Sequence, residues 1–127
     1  MAKLNYSIVC ENAIIDADSK NLYILGVFDK INADKFPALN PHKMVVVINA
    51  SGEPGTHSLL VKIKNKNNNQ EIADLSGELI ISAQEGAKAQ FRGVFYNVLF
   101  PERGFYYIEV SINNEIQSLK TEFFVGI

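Results

Sequence analysis

Apolar and polar residues alternate along much of this chain with the two-residue period of β-strands that are buried on one face. In residues 105–112 the even-numbered positions are Tyr, Ile, Val and Ile, and the odd-numbered positions include Glu and Ser. The pair Asn113–Asn114 follows, and asparagine tolerates the left-handed backbone of a tight type I′ turn. We therefore predict a hairpin whose second strand lies within residues 115–125. A two-residue turn would place Ile108 opposite Leu119 and Tyr106 opposite Thr121.

The same pattern predicts about eight strands, and no long segment has the 3.6-residue period of a helix. The predicted segments are 4–15, 22–31, 43–49, 59–64, 72–82, 91–100, 105–112 and 115–125. Met44 to Ile48 shows no alternation, which is typical of a strand covered on both faces. Gly26, inside the second segment, indicates a bulge or a close approach of another group to the backbone. These patterns predict an all-β fold, either an antiparallel β-sandwich or a small barrel.

Length and composition are those of a globular protein. The 127 residues predict a single domain over residues 1–127, long enough to bury roughly two thirds of the surface of the unfolded chain. The 12 basic residues are scattered among 14 acidic ones, which disfavours a nucleic-acid partner. Cys10 is the only cysteine, so no intrachain disulfide forms. With no apolar run of membrane-spanning length, we expect a cytoplasmic protein that does not enter a membrane.

Residues 104–108 carry a first resemblance. Gly-Phe-Tyr-Tyr-Ile is similar to the G-x-Y-x-C stretch of immunoglobulin domains, with Ile108 in place of the cysteine. The resemblance implies an immunoglobulin-like sandwich in which the Tyr106 hydroxyl bonds a backbone group slightly upstream. The chain departs from the antibody pattern because it has no tryptophan and no disulfide pair.

Three other stretches, spread along the chain, carry a second resemblance. They are residues 22–29 (LYILGVFD), 52–59 (GEPGTHSL) and 100–106 (FPERGFY). On these stretches the chain resembles a family of small uncharacterised bacterial proteins, a domain of unknown function. The resemblance implies a β-sandwich and brings no catalytic residues.

Candidate metal sites are weak. Asp16, Asp18 and Asn21 offer oxygen ligands of the kind that Ca²⁺ prefers, but the EF-hand spacing fails, and we interpret the cluster as a hairpin turn. His42 and His57 are the only histidines, and with Cys10 they match no known zinc spacing. We therefore expect no metal and no cofactor.

Catalytic signals are weaker still. No nucleophile motif is present, and Ser58 and His57 are neighbours on a strand, where adjacent side chains point to opposite faces. Tyr107 alternates with outward-facing residues, so we expect it to face outward. With Lys120 roughly opposite, it is a candidate for an exposed patch, but a single outward tyrosine is the favoured interpretation.

The hypothesis that remains is a non-enzymatic binding or protein-interaction module. Its partner, an unidentified protein, would meet loops gathered at one end of the sandwich, around 16–21, 52–57 (including Glu53) and 85–88. An alternative is self-association through an edge strand, with residues 116–125 as the candidate. A metal-dependent or hydrolytic enzyme using His42 or His57 is the least favoured reading.

Overall fold

The computed structural model describes residues 2–127, and every regular element in that range is a β-strand. The strands are β1 Lys3–Ile15, β2 Leu22–Val27, β3 Lys30–Ile31, β4 Ala38–Leu39, β5 Met44–Ser51, β6 Gly55–Asn65, β7 Glu71–Ile81, β8 Ala89–Phe95, β9 Leu99–Phe100, β10 Gly104–Ile112, β11 Glu115–Ile116 and β12 Thr121–Val125. The all-β prediction is confirmed. The described part has twelve strands rather than about eight, and four of them contain only two residues.

The strands form two main sheets and one short pair. The first sheet has the order β2-β1-β5-β8, and the second has the order β3-β12-β10-β6-β7, with β11 beside β10. All of these pairs are antiparallel except β12 with β3, and β4 pairs with β9 in the third, two-stranded sheet. Within residues 2–127 no helix is long and apolar enough to cross a membrane.

The main core lies between the two sheets. Met44, Val46 and Ile48 of β5 pack in the same cluster as residues of β6 and β10 from the other sheet. Those opposing residues are Leu59, Val61, Ile63, Ile108, Val110 and Ile112, all with 2% exposure or less. Alternate residues on each strand therefore fill one shared interior, as the two-residue period predicts.

Aromatic rings occupy one end of this core. Phe123 stacks on Tyr106, with ring centroids 6.1 Å apart, and meets Phe100 and Phe28 edge-on at 5.9 and 6.3 Å. The Tyr106 hydroxyl donates a hydrogen bond of 2.6 Å to the carbonyl of Glu102, so the predicted upstream backbone bond is confirmed. Burial raises the pKa of Tyr106 above its ordinary value.

The C-terminal hairpin differs from its prediction in register. Asn113 and Asn114 have φ of 51° and 67°, which confirms the type I′ turn. However, Ile108 lies opposite Thr121 and Tyr106 opposite Phe123, so the predicted pairing was wrong by two residues. An insertion of two residues keeps each side chain on the same face, and the alternation alone does not reveal it.

The last strand has partners on both sides at its C-terminal end. β12 pairs with β10 on one side, and β3 pairs with Phe124 and Val125 on the other. Phe123 and Val125 are buried, so part of the segment 116–125 that the self-association hypothesis used is covered within the chain.

Candidate functional site

Gly26 has an unusual backbone conformation within the long hairpin β1–β2. Gly26 has φ of 67°, a backbone conformation that favours glycine, and a Cβ there would lie 2.5 Å from Oε1 of Glu11 on the paired strand. The register, with Cys10 opposite Val27 and Asn12 opposite Leu25, places Glu11 across from Gly26. The predicted close approach at Gly26 is therefore confirmed, and the approaching group is a side chain.

Beyond Gly26 the hairpin covers the outer side of the first sheet. Val45 and Val47, which point away from the main core, are buried in a second cluster with Cys10 and Ala13. Leu22, Ile24, Tyr6 and Ile8 pack around this cluster. The prediction that β5 is covered on both faces is confirmed, and the cover on the outer side is the hairpin.

Polar contacts tie the hairpin to the sheet. Arg92 on β8 donates from Nη1 to the carbonyl of Ala13 at 3.0 Å, across the width of β5. The Cys10 thiol donates to the carbonyls of Asn12 and Val45, and burial raises its pKa. The hairpin is therefore attached to the sheet both near its base, at Cys10, and near its tip, at Ala13.

The opposite side of the hairpin is apolar and exposed. Ile14, Tyr23, Leu25 and Val27 are 44, 49, 47 and 66% exposed, and we refer to these four residues as the hairpin face. β2 pairs only with β1, so its outer backbone edge has no partner strand among residues 2–127.

Other edges of the two main sheets carry charges. β7 exposes Glu71, Asp74 and Glu78, and β8 exposes Arg92, whereas Leu22–Val27 contains no charged residue. Natural proteins commonly use charges on edge strands to prevent pairing with other chains. The β2 edge lacks this protection and is the best candidate for an interaction surface.

The loop at the tip of this hairpin is built by its own side chains. Oδ2 of Asp16 accepts hydrogen bonds from the backbone N–H of Ser19 at 2.7 Å and of Asp18 at 3.1 Å, and these bonds lower the pKa of Asp16. The N–H of Asn21 donates to Oγ of Ser19. The interpretation of Asp16, Asp18 and Asn21 as a turn is confirmed.

Two of the three loops expected to gather at one end lie together. Lys3 pairs with Ser51, and Ala50 pairs with Ala89, so the loops 52–54 and 82–88 lie at the end where β1 begins. The loop 16–21 joins β1 to β2 at the tip of the hairpin.

The two histidines lie at opposite ends of β5. His42 precedes the start of β5, whereas His57 lies near the start of β6, just beyond the end of β5. Among residues 2–127 no group of three or more His, Cys, Asp or Glu is arranged to hold a metal ion. A site shared by His42 and His57 is not formed.

His57 instead has a structural role that links two turns. The backbone N–H of Ser58 donates to Oδ1 of Asn113 at 2.9 Å, so the Asn113 amide nitrogen must be the group that faces Nδ1 of His57, also at 2.9 Å. Nδ1 is therefore an acceptor, and Nε2–H donates to the carbonyl of Glu53 at 2.8 Å. The buried ring joins the 52–54 turn to the 113–114 turn.

Substitution of Asn113 by alanine is expected to lower the free energy of unfolding by about 2–3 kcal/mol. The change leaves His57 Nδ1 without its donor, and it replaces asparagine, which tolerates positive φ, with alanine, which tolerates it less well. Asn114→Ala is the matched control, because it adds the same backbone strain without removing the bonds to His57 and Ser58, and should cost about 1 kcal/mol. Urea denaturation of both variants measures the difference, and equal losses would contradict the role of the Asn113 side chain.

Comparison with known families shows to which family the chain belongs. A family model matches residues 5–125, which include nearly all of β1 and the whole of the hairpin face. The chain belongs to DUF6941, a family of unknown function. The resemblance to a domain of unknown function is confirmed by this match. No curated protein matches the sequence.

Tyr107 of this DUF6941 chain does not lie on an exposed patch. It faces outward from the second sheet beside Lys120, whose Nζ is 5.5 Å from the ring centroid, as expected. However, its side chain is covered, leaving 7% of the residue exposed, and its hydroxyl donates to Oδ1 of Asn69. The expectation of exposure was wrong because the 66–69 turn and Lys120 lie over the ring.

The hairpin face of this DUF6941 chain was not predicted from the sequence. Residues 22–27 were assigned to a strand, but the alternation of Tyr23, Leu25 and Val27 was not interpreted as an exposed surface. The available signal was the absence of charge over the eight residues between Lys20 and Asp29. That signal is ambiguous by itself, because a fully buried strand has the same composition.

Proposed function

We propose that this protein is a non-enzymatic protein-interaction module with an immunoglobulin-like fold, and that its partner adds an extended strand to the outer edge of β2. The observation that carries the proposal is an unpaired, charge-free strand with apolar side chains exposed beside it. Strand addition obtains affinity from main-chain hydrogen bonds and specificity from alternate side chains. The unpaired edge of β2 offers the main-chain groups, and the hairpin face offers the alternate apolar side chains.

Two features support the immunoglobulin-like part of the proposal. β1, β5 and β8 follow the sheet order of immunoglobulin strands A, B and E, and β12, β10, β6 and β7 follow the order G, F, C and C′. Tyr106 lies near the start of the strand in the F position and bonds the backbone upstream, as in a tyrosine corner. Ile108, fully buried, takes the place of the usual cysteine, which suits a chain whose one thiol is free and buried.

The test is site-specific photo-crosslinking in the native cell. A photo-reactive amino acid at Leu25 is expected to give a discrete covalent adduct, because the side chain is 47% exposed beside the free edge. Ile80, 71% exposed on β7, is the matched control on an edge strand that carries charges. An adduct from position 25 and none from position 80 supports the proposal, while no adduct from 25, or the same adducts from both, contradicts it.

Self-association through β2 is the second candidate, because an uncharged strand edge can also pair with its own copy about a two-fold axis. In that case the adduct from position 25 has twice the 14.1 kDa mass of the chain. Light scattering of the purified protein then gives a dimer that Leu25→Lys converts to a monomer. A monomer at every concentration excludes this candidate.

A further inference from the structure

Two adjoining cavities form a groove where the chain passes from β2 through β3 to β5. Their volumes are about 210 and 360 Å³, and both are lined by Ile31, Asn40 and His42. The groove shares no residue with the hairpin face.

Asn40 places an unused hydrogen-bond donor in the groove. The residue is 9% exposed, and its Oδ1 accepts from the backbone N–H of His42 at 3.2 Å. The amide nitrogen has no hydrogen-bond partner among residues 2–127, yet it is not sealed from solvent. A nearly buried donor of this kind favours a ligand that brings an acceptor.

The charges at the groove favour an anion. Lys30 and Lys43 line the smaller cavity with a single carboxylate, that of Glu11, so the local charge is positive although the chain carries −2. Neither lysine forms an ion pair within residues 2–127, and Nζ of Lys43 is positioned by Oδ1 of Asn12 at 3.1 Å. Two lysines against one glutamate match a ligand with one negative charge.

The floor of the groove is apolar. Phe28 and Ile31, both half-buried against the main core, line the smaller cavity, and Leu39 and Phe100 line the larger one. A cavity with an apolar floor and a few converging polar groups is the usual form of a small-molecule site.

We propose that this groove binds a small amphipathic monocarboxylate. Its carboxylate accepts from the Asn40 amide and lies near the Lys30 and Lys43 ammonium groups. Its apolar body covers Phe28 and Ile31. No bond is made or broken, and the site is one of recognition.

The test is an NMR titration of the full chain with octanoate. We expect saturable shifts in the Asn40 side-chain amide and in the backbone amides of residues 28–31, with a dissociation constant of roughly millimolar or tighter. Octanol, which lacks the charge, and acetate, which lacks the apolar body, should each bind clearly more weakly. Octanol or acetate shifting the same signals as strongly as octanoate, or octanoate shifting none of them, would overturn the proposal.

Two variants separate the contributions. Asn40→Asp keeps the acceptor for His42 but replaces the donor with a carboxylate, and should weaken octanoate binding by at least about tenfold. Lys30→Gln should weaken it by about two- to fivefold, and added salt should reduce that difference. Lys88→Gln makes the same charge change near the start of β8, at the opposite end of the sheet, and should leave binding unchanged. Equal effects of Lys30→Gln and Lys88→Gln would refute the site even where Asn40→Asp fails to fold.

Discussion

Replacing Phe123 with alanine is expected to lower the free energy of unfolding by about 3–5 kcal/mol. The ring is 1% exposed and contacts three other aromatic rings, those of Phe28, Phe100 and Tyr106. Its removal leaves a cavity where four rings meet, and the surrounding rigid side chains close it poorly. Urea denaturation followed by circular dichroism measures the loss, and the melting temperature should fall by roughly 10–20 °C.

Phe124 is the matched control for this prediction. It is the next residue on β12 and faces outward, half-buried against Phe105, with the Arg103 guanidinium 4.9 Å from its ring centroid. Phe124→Ala should therefore cost only about 1 kcal/mol. If the two alanine variants lose similar stability, the assignment of Phe123 to the core is contradicted.

Replacing Val47 with lysine is expected to cost about 3–5 kcal/mol, or to prevent folding. Val47 is completely buried although it points away from the main core, because the β1–β2 hairpin lies over it. Lysine there would put an unpaired charge into an apolar space, opposite the positive charge of Arg92 on β8. Thermal and urea unfolding of the purified variant check the prediction.

Val94→Lys provides the comparison for Val47→Lys. Val94 lies opposite Val45 on β8, so it is on the same outer side of the first sheet, but it is 36% exposed. Lysine at this position extends into solvent and should change stability by no more than about 0.5–1 kcal/mol. A Val47→Lys variant as stable as Val94→Lys would show that the hairpin does not cover the sheet in solution.

The sequence predicted those features of the fold that depend on residues close together in the chain. The alternation in residues 105–112, the unbroken apolar run of β5 and the Asn113–Asn114 turn each correspond to an observed feature. Residues 117–120 show the limit of this reasoning. Compared with the predicted pairing, they lengthen the connection between β10 and β12 by two residues. Gln117 in this segment accepts at Oε1 a hydrogen bond from the backbone N–H of Leu4. A contact between residues so distant in the chain is not encoded in local periodicity.

The candidate site was less predictable than the fold. Exposure of Tyr23 and Leu25 depends on which strand lies beside β2, and burial of Tyr107 depends on Asn69 and Lys120. The alternation shows that two sets of side chains face opposite ways, but not which set a distant segment will cover. The groove at Asn40 was unpredictable for the same reason, because its lining comes from segments that are distant in the chain, namely β1, β3 and the residues before β5.

The amino-acid sequence by itself determined that this chain forms strands, where most of them lie, and how its last hairpin turns. These properties follow from the fixed two-residue period of extended backbone and from the tolerance of asparagine for positive φ. Only the tertiary structure decided that β3 pairs with the end of β12, that β2 is a free edge, and that His42 and His57 lie at opposite ends of β5. Sheet order arises from burying apolar faces across long separations in sequence, and several orders satisfy the same local pattern.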